Sequence, residues 1–355
     1  MGIGRQLLRS MTGGLATSLL ILVALSSAAQ AQRQDTPKVT PQPEFRWKMV
    51  SLSRTHETWS WMKWFSDELH RRSNGRVEVR MISMPELGLT GFELIRVLKA
   101  GLVDIGEVVT GYVAGDLPII EGASLTGLQP DWEASKKSHR AWDAVYRRYE
   151  DKIGGKYLGI HPYDWNAAYC TKPVRGLEDI KGVKIRIFSP AMALFWKTLG
   201  AQPVSMAFAE LYSALDRKVL DCAHTGPASG VAVKLYEVAK YLVDLRLGHQ
   251  PGMLVVSKRS WDAVPPDIQQ ILVQLGREHT ERTWVLGWEM TQREIKRNQA
   301  EGVEWIPTKE AYRTAIDKAV RDVVLPDWLG RVPDKEEARR LFNELLAPQV
   351  GFTLR

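Results

Sequence analysis

Two stretches of this chain repeat one another 117 positions apart, and the repetition restricts the fold more than any composition figure does. Glu93-Leu94, Leu98, Leu102-Val103 and Asp104 recur as Glu210-Leu211, Leu215, Val219-Leu220 and Asp221 with the same internal spacing, and Phe92 and Phe208 stand just upstream. Each stretch reads as an amphipathic helix passing through a short turn into a strand that ends in aspartate. Two equivalent units so far apart suggest two similar lobes; the echo is too sparse for a solenoid. Around them the pattern alternates. Strands are expected over 45–51, 77–82, 103–108, 156–162, 167–170, 184–187, 219–223 and 253–257. Helices are expected over 57–73, 91–100, 132–149 and 190–199, and the chain turns strongly helical from 266 to 298 and from 309 to 324. This is an α/β fold.

A second constraint is local. In Val183-Lys184-Ile185-Arg186-Ile187-Phe188-Ser189-Pro190, the residues at 183, 185 and 187 point to one face of a strand, and Lys184, Arg186 and Phe188 to the other. Ser189 is a natural N-cap and Pro190 suits the first helical position. Ligands of open α/β sheets lie beyond the carboxyl ends of the strands, where helix N-termini offer free N–H groups. Arg186 stands at such a point, and a planar guanidinium grips a carboxylate through two parallel hydrogen bonds. The run predicts a site for a small organic anion.

The first residues predict where the chain works. Arg5 and Arg9, the apolar run 15–25 and Ala29-Gln30-Ala31 have the pattern of an export signal cleaved after Ala31. The run is short beside the roughly 20 residues that span a bilayer, and a retained N-terminal anchor is the alternative. The expected location is periplasmic, with 32–44, rich in Gln, Pro and Thr, as a flexible lead-in. The formal charge of +7 falls to +5 without the two signal arginines, and the remaining basic residues interleave with acids rather than forming a stripe, which argues against nucleic acid. Cys170 and Cys222 lie in short apolar runs; they either bridge neighbouring strands or remain two buried thiols.

Further along, Pro85-Glu86-Leu87-Gly88 precedes Phe92-Glu93-Leu94 and Gly101-Leu102-Val103-Asp104. Then come Gly176-Leu177-Glu178-Asp179-Ile180-Lys181-Gly182-Val183-Lys184-Ile185-Arg186, Leu199-Gly200-Ala201-Gln202-Pro203-Val204 and Glu210-Leu211-Tyr212-Ser213-Ala214-Leu215. Their order and spacing together resemble the solute receptors of tripartite ATP-independent periplasmic (TRAP) transporters, the DctP family, over roughly Phe45 to Tyr312. The resemblance implies a two-lobed, hinge-linked periplasmic binding protein fold, with a long C-terminal helix, here 267–298, bracing both lobes. It implies one lobe from 45–163 and 252–291 and another from 164–251 and 292–355, the chain crossing near Tyr163 and near Pro251. It also implies a carboxylate ligand gripped by Arg186, hinge closure upon it, and delivery to the membrane permease subunits of a TRAP transporter. A monomer without cofactor or catalysis is expected.

Departures from the family pattern matter for the site. Where many members carry a second arginine this chain has Ala167, which leaves a second cationic clamp open. Where many place asparagine before proline it reads Asp221-Cys222-Ala223-His224-Thr225-Gly226-Pro227. Thr225 can still donate to a ligand oxygen, and so can His224 if it faces the cleft; the alternative for His224 is a structural hydrogen bond at a strand end. Neither supplies the carboxylate with which some relatives hold a metal, so no metal is expected. Tyr112, Trp165, Tyr169, Phe188 and Phe208 fall at or near the cleft loops, and such rings suit an aromatic or larger apolar acid. Core or hinge packing is the alternative for each of them, least so for Phe188, which shares the face of Arg186. Trp284 and Trp288 read as packing. A ligand sensor for a membrane signalling protein would bind identically. A secreted hydrolase would need a nucleophile elbow, a His-Glu-x-x-His or a Gly-rich phosphate loop, and none occurs. Cys222 and His224 share a face only if their strand continues.

Overall fold

The computed structural model describes residues 42–355, so the export signal, its cleavage after Ala31 and the lead-in up to residue 41 lie outside the described residues. Short apolar runs become strands in two sheets. The first has the order β2-β1-β3-β10-β4, formed by β1 Phe45–Ser51, β2 Val77–Ser83, β3 Ile105–Val109, β4 Gly155–Pro162 and β10 Pro251–Ser257. The second has the order β11-β9-β5-β8-β6-β7, formed by β5 Ala167–Cys170, β6 Lys184–Ile187, β7 Gln202–Ser205, β8 Cys222–Thr225, β9 Tyr241–Val243 and β11 Glu304–Ile306. In each sheet three parallel strands, β2-β1-β3 or β7-β6-β8, are extended by an antiparallel one, β10 or β5. That antiparallel strand arrives from the other sheet: β4 runs into β5 through 163–166, and β9 into β10 through 244–250.

The repeated sequence occupies the equivalent place in both sheets. Helix Leu94–Lys99 leads to β3 and helix Leu211–Asp216 to β8. The intervening turn needs one left-handed residue, supplied by Gly101 (φ 64°) in the first copy and by Lys218 (φ 58°) in the second. Upstream, a Glu93 oxygen accepts from Thr90 N at 2.9 Å and a Glu210 oxygen from Ala207 N at 3.1 Å, so the cap repeats as well.

The two aspartates precede their strands rather than ending them. Asp104 Oδ2 accepts from Lys48 N at 2.7 Å and Asp221 Oδ2 from Lys184 N at 2.9 Å, while each aspartate N–H donates to the carbonyl of the same lysine. The carboxylate takes a ladder donor of the parallel neighbour that would otherwise lack an acceptor. The strands accordingly begin at Ile105 and Cys222, not at Val103 and Val219. Cys170 lies opposite Cys222 in the β5–β8 register, and the two form a disulfide.

The long helix, Pro266–Ala300, touches both sheets. β4 is an edge strand, and its Ile160 N donates to Thr280 Oγ1 of this helix at 3.0 Å, satisfying a donor on that edge. The approach is close because glycine faces glycine: a Cβ on Gly276 would lie 2.5 Å from Leu158 O, and one on Gly159 2.3 Å from Thr280 Oγ1. Nearer its C-terminus the helix reaches the second sheet, where Asn298 accepts from the Tyr169 hydroxyl of β5 and donates to Pro227 O at 3.2 Å. Between these points Trp284 is buried edge-on to Trp132, whereas Trp288 remains 44% exposed.

A side chain on Gly276 must therefore push helix and sheet apart. Gly276→Val is expected to lower unfolding stability by about 1–3 kcal/mol, seen as a reduced urea midpoint at unchanged m value. A midpoint equal to that of the parent protein would contradict the close approach.

Candidate functional site

β6 delivers Arg186 to its position, and the following cap forms as its sequence dictates, with Ser189 Oγ accepting from Met192 N at 3.2 Å and Pro190 opening helix Pro190–Thr198. The Arg186 side chain is buried, at 1% exposure. Its Nε donates to Met206 O at 3.0 Å, Nη1 to His224 O at 3.1 Å and Nη2 to the Tyr112 hydroxyl at 2.7 Å. The guanidinium carbon stands 4.3 Å from the Phe188 ring centre, and Phe188 in turn stacks on Tyr112 at 4.9 Å. Among the described residues no carboxylate lies within ion-pair distance of Arg186. Burial pushes its pKa below the usual arginine range, against the opposing pull of Tyr112 and, more weakly, Glu210.

Tyr112 belongs to the helical turn Thr110–Val113 that follows β3, so its bond to Arg186 joins the two sheets. Around that bond lies a small cavity with about 30 Å³ open to the centres of water-sized molecules. From the first sheet it is lined by Leu52, Val109 and Tyr112; from the second by Arg186, Phe188, Phe208, Thr225 and Ser229. Tyr163, Asn166 and Gln250 enter from the segments that cross between the sheets. The lining gathers at the carboxyl ends of β1, β3, β6 and β8, the place where α/β sheets hold ligands. Any ligand of several heavy atoms needs the two sides to part.

One layer deeper, β3 carries Glu107, fully buried. It accepts from Leu52 N at 2.8 Å, from Ser51 Oγ at 2.5 Å, from His161 Nε2 at 2.7 Å and from the Tyr163 hydroxyl. Burial alone would raise its pKa, but the His161 ring and the two hydroxyls outweigh that and hold it at about 2. This anion is satisfied by the fold itself.

The structure brings together five of the eight residues expected at the site: Arg186, Phe188, Thr225, Tyr112 and Phe208. The other three point elsewhere. On β8 the alternation that turns Thr225 to the cavity turns the His224 ring away, where its Nδ1 accepts from Trp196 Nε1 at 3.0 Å; only its carbonyl reaches Arg186. Tyr169 is packed against Gly230, where an added Cβ would meet its ring at 2.2 Å, and its hydroxyl is bonded to Asn298 and Pro227. Trp165 lines a separate groove with Trp132, Trp288 and Trp305.

Reasoning from sequence missed Asn166 and Gln250. Both are polar residues beside the predicted crossings, and that position was the available signal. A larger groove, of about 500 Å³, lies over β4; of its three arginines, Arg140 and Arg147 are paired with Glu281 and Asp143, and Arg277 is exposed to solvent. The chemistry of the smaller cavity, not its size, marks it out.

Comparison with known proteins identifies the family and the fold. The family model described as bacterial extracellular solute-binding protein, family 7, matches residues 50–326. The 2,3-diketo-L-gulonate-binding periplasmic protein YiaO of Escherichia coli is 28% identical over 272 residues, covering 75% of this chain and 82% of its own. Among solved structures, DctP7 of Bordetella pertussis, an extracytoplasmic solute receptor binding pyroglutamic acid, superposes with a TM-score of 0.78 at 23% identity, covering 84% of this chain and 99% of that one. A TRAP periplasmic solute-binding protein of Desulfovibrio salexigens with bound orotic acid gives 0.79 at 20% identity, over 86% and 99%.

Four buried imidazoles make a pH prediction. Burial pushes His139 and His224 down to about 3 and takes His249 and His279 well below the ordinary histidine value, so all four stay neutral in the fold while the unfolded chain protonates near 6.5. Their stabilisation is complete above that value and is lost as pH falls from 6.5 toward 3. Glu121 opposes them: burial holds its carboxyl up to about 7, so its contribution is lost as pH rises through that value. Four groups outweigh one, and stability is expected to drop by on the order of 3 kcal/mol between about pH 7.5 and about pH 5.5. A denaturation midpoint that holds steady or rises over that interval would show the rings to be charged in the native state.

Proposed function

The chain belongs to the bacterial extracellular solute-binding proteins of family 7, and we propose that it captures a small organic acid between two lobes, holding the carboxylate on Arg186, and releases it unchanged to a TRAP-type membrane permease. One observation carries this reading: a buried guanidinium, bonded only to neutral oxygens, at the meeting of two sheets. Three N–H groups fix its plane and leave one on each terminal nitrogen for the two oxygens of a carboxylate. The acids named for the relatives, diketogulonate, pyroglutamate and orotate, support the same class of ligand.

The lobe division into 45–163 with 252–291 and 164–251 with 292–355 is part of this reading, with 163–166 and 244–250 as the hinge segments. The Arg186–Tyr112 bond is then a latch of the closed form, made only when the lobes meet. Periplasmic residence follows the family, and loss of residues 1–31 at an export signal completes the proposal. Phe188, Phe208 and Tyr112 supply ring faces beside the carboxylate, and Thr225 a hydroxyl.

The test is direct. Any tight carboxylate raises the melting temperature of the folded receptor, so a thermal-shift screen of organic acids should find ligands. Against the best of them, Arg186→Ala is expected to weaken binding by about 2–5 kcal/mol, roughly 30-fold to several-thousand-fold. Arg186→Lys should also lose affinity, because an ammonium cannot form the fork. A folded Arg186→Ala protein that binds within about twofold of the parent would remove the basis of the proposal.

A further inference from the structure

The polar atoms around the cavity can be accounted for, and the account narrows the ligand. Three lining side chains turn their hydrogen-bonding capacity inward. The Tyr163 hydroxyl donates to Glu107, Ser229 Oγ donates to Asp164 at 2.8 Å, and Gln250 accepts from Thr110 Oγ1 at 2.9 Å while donating to Ser124 O at 2.8 Å. The Tyr112 hydroxyl receives Arg186. Asn166 differs: its side-chain Nδ2 is buried and has no partner among the described residues, although its backbone N–H is held by Gly248 O at 2.7 Å. A buried amide donor without a partner is costly unless something else accepts from it. Thr225 adds one hydroxyl, and the rest of the wall is hydrocarbon and ring.

We infer that the ligand is a small monocarboxylate with a flat or branched apolar body and one further acceptor atom, and that the Asn166 amide reads this acceptor. This deepens the proposed function and rests on Arg186 being the carboxylate site. A polyhydroxylated sugar acid would bring several hydroxyls against Leu52, Val109, Phe188 and Phe208, and each hydroxyl left without a partner costs roughly tenfold in affinity. A second carboxylate would meet a neutral amide rather than a cation. An apolar wall rejects one added hydroxyl only modestly, but the penalties accumulate over a polyol whose lost hydration is not replaced.

Calorimetric titration of the mature protein with matched acids tests this. Phenylpyruvate and 4-hydroxybenzoate carry an acceptor beyond the carboxylate; 3-phenylpropanoate and benzoate are their analogues without it; D-galacturonate and L-gulonate represent the polyols. At least one acceptor-bearing acid is expected to bind tenfold or more tighter than either sugar acid. Asn166→Ala should weaken that acid about tenfold while moving its acceptor-free analogue less than about twofold. Asn166→Asp, which keeps the volume but replaces the donor with a negative charge, should abolish binding, with melting curves confirming the fold of both variants. If a sugar acid binds tightest and loses its binding in Arg186→Ala, the carboxylate reading stands and this inference falls. If Asn166→Ala weakens both members of a pair equally, or neither, Asn166 does not read the acceptor. If no acid binds and Arg186→Ala behaves as the parent, both fall together.

Discussion

The cleft depends on keeping one positive charge out of water. Burying a guanidinium costs several kcal/mol even after the protein relaxes around it. Here three hydrogen bonds and two ring faces offset that cost, and every acceptor is neutral: two carbonyls and a phenol. The group is held in place without being neutralised, so a positive potential persists at the carboxyl ends of two pairs of parallel strands. Contrast Glu107, equally buried on the facing sheet, which gathers donors from two side-chain hydroxyls, an imidazole and the backbone. The fold completes one charge and leaves the other without a counter-ion among the described residues, which is the basis of the proposed carboxylate site.

These two ions lie on either side of the seam where the chain changes sheets. The segment from His161 to Asn166 runs past both: His161 and Tyr163 bond to Glu107, Asp164 takes Ala228 N and Ser229 on the far side, and Asn166 lines the cavity beside Arg186. Tyr163 lines the cavity with its ring and binds the buried carboxylate with its hydroxyl, so the two places share one side chain. The long helix spans the same seam, pinned by Thr280 to the first sheet and by Asn298 to the second. A hinge of this construction bends at its crossings while its outer brace stays continuous.

Much of this was legible in the sequence, for local reasons. Ser189 and Pro190 specify a helix start whatever surrounds them, and β6 follows from its alternation, so Arg186 could be placed from eight residues. The repeated helix-to-strand unit was visible because helical spacing is a short-range property. Its aspartates were misplaced by a few positions, since their role is set by the N–H of a parallel neighbour 56 or 37 residues away, which no local pattern encodes. The brief strands β7, β9 and β11 escaped for the same reason: Gln202-Pro203-Val204-Ser205 has no strand period and owes its conformation to pairing with β6. Of the site, Arg186 and Phe188 could be read from one strand face. His224, Tyr169 and Trp165 could not, because the choice between cavity and core rests on which neighbour fills the space, Trp196 for the first and Gly230 for the second.

The exchange of antiparallel strands has a consequence for how the molecule comes into being. β3 gains its second partner only when Gly252 reaches Val109, across 143 positions, so the earlier sheet must wait, with one flank unpaired, until most of the polypeptide has been delivered. Neither half can mature first and serve as a template for the other, and a chain interrupted before residue 251 would leave both halves unfinished. Loop closure over that span is slow relative to local helix formation, and an exposed strand edge invites wrong pairing in the interval. Vectorial synthesis therefore presents this architecture to its surroundings, for a time, as a collection of helices around an unfinished sheet.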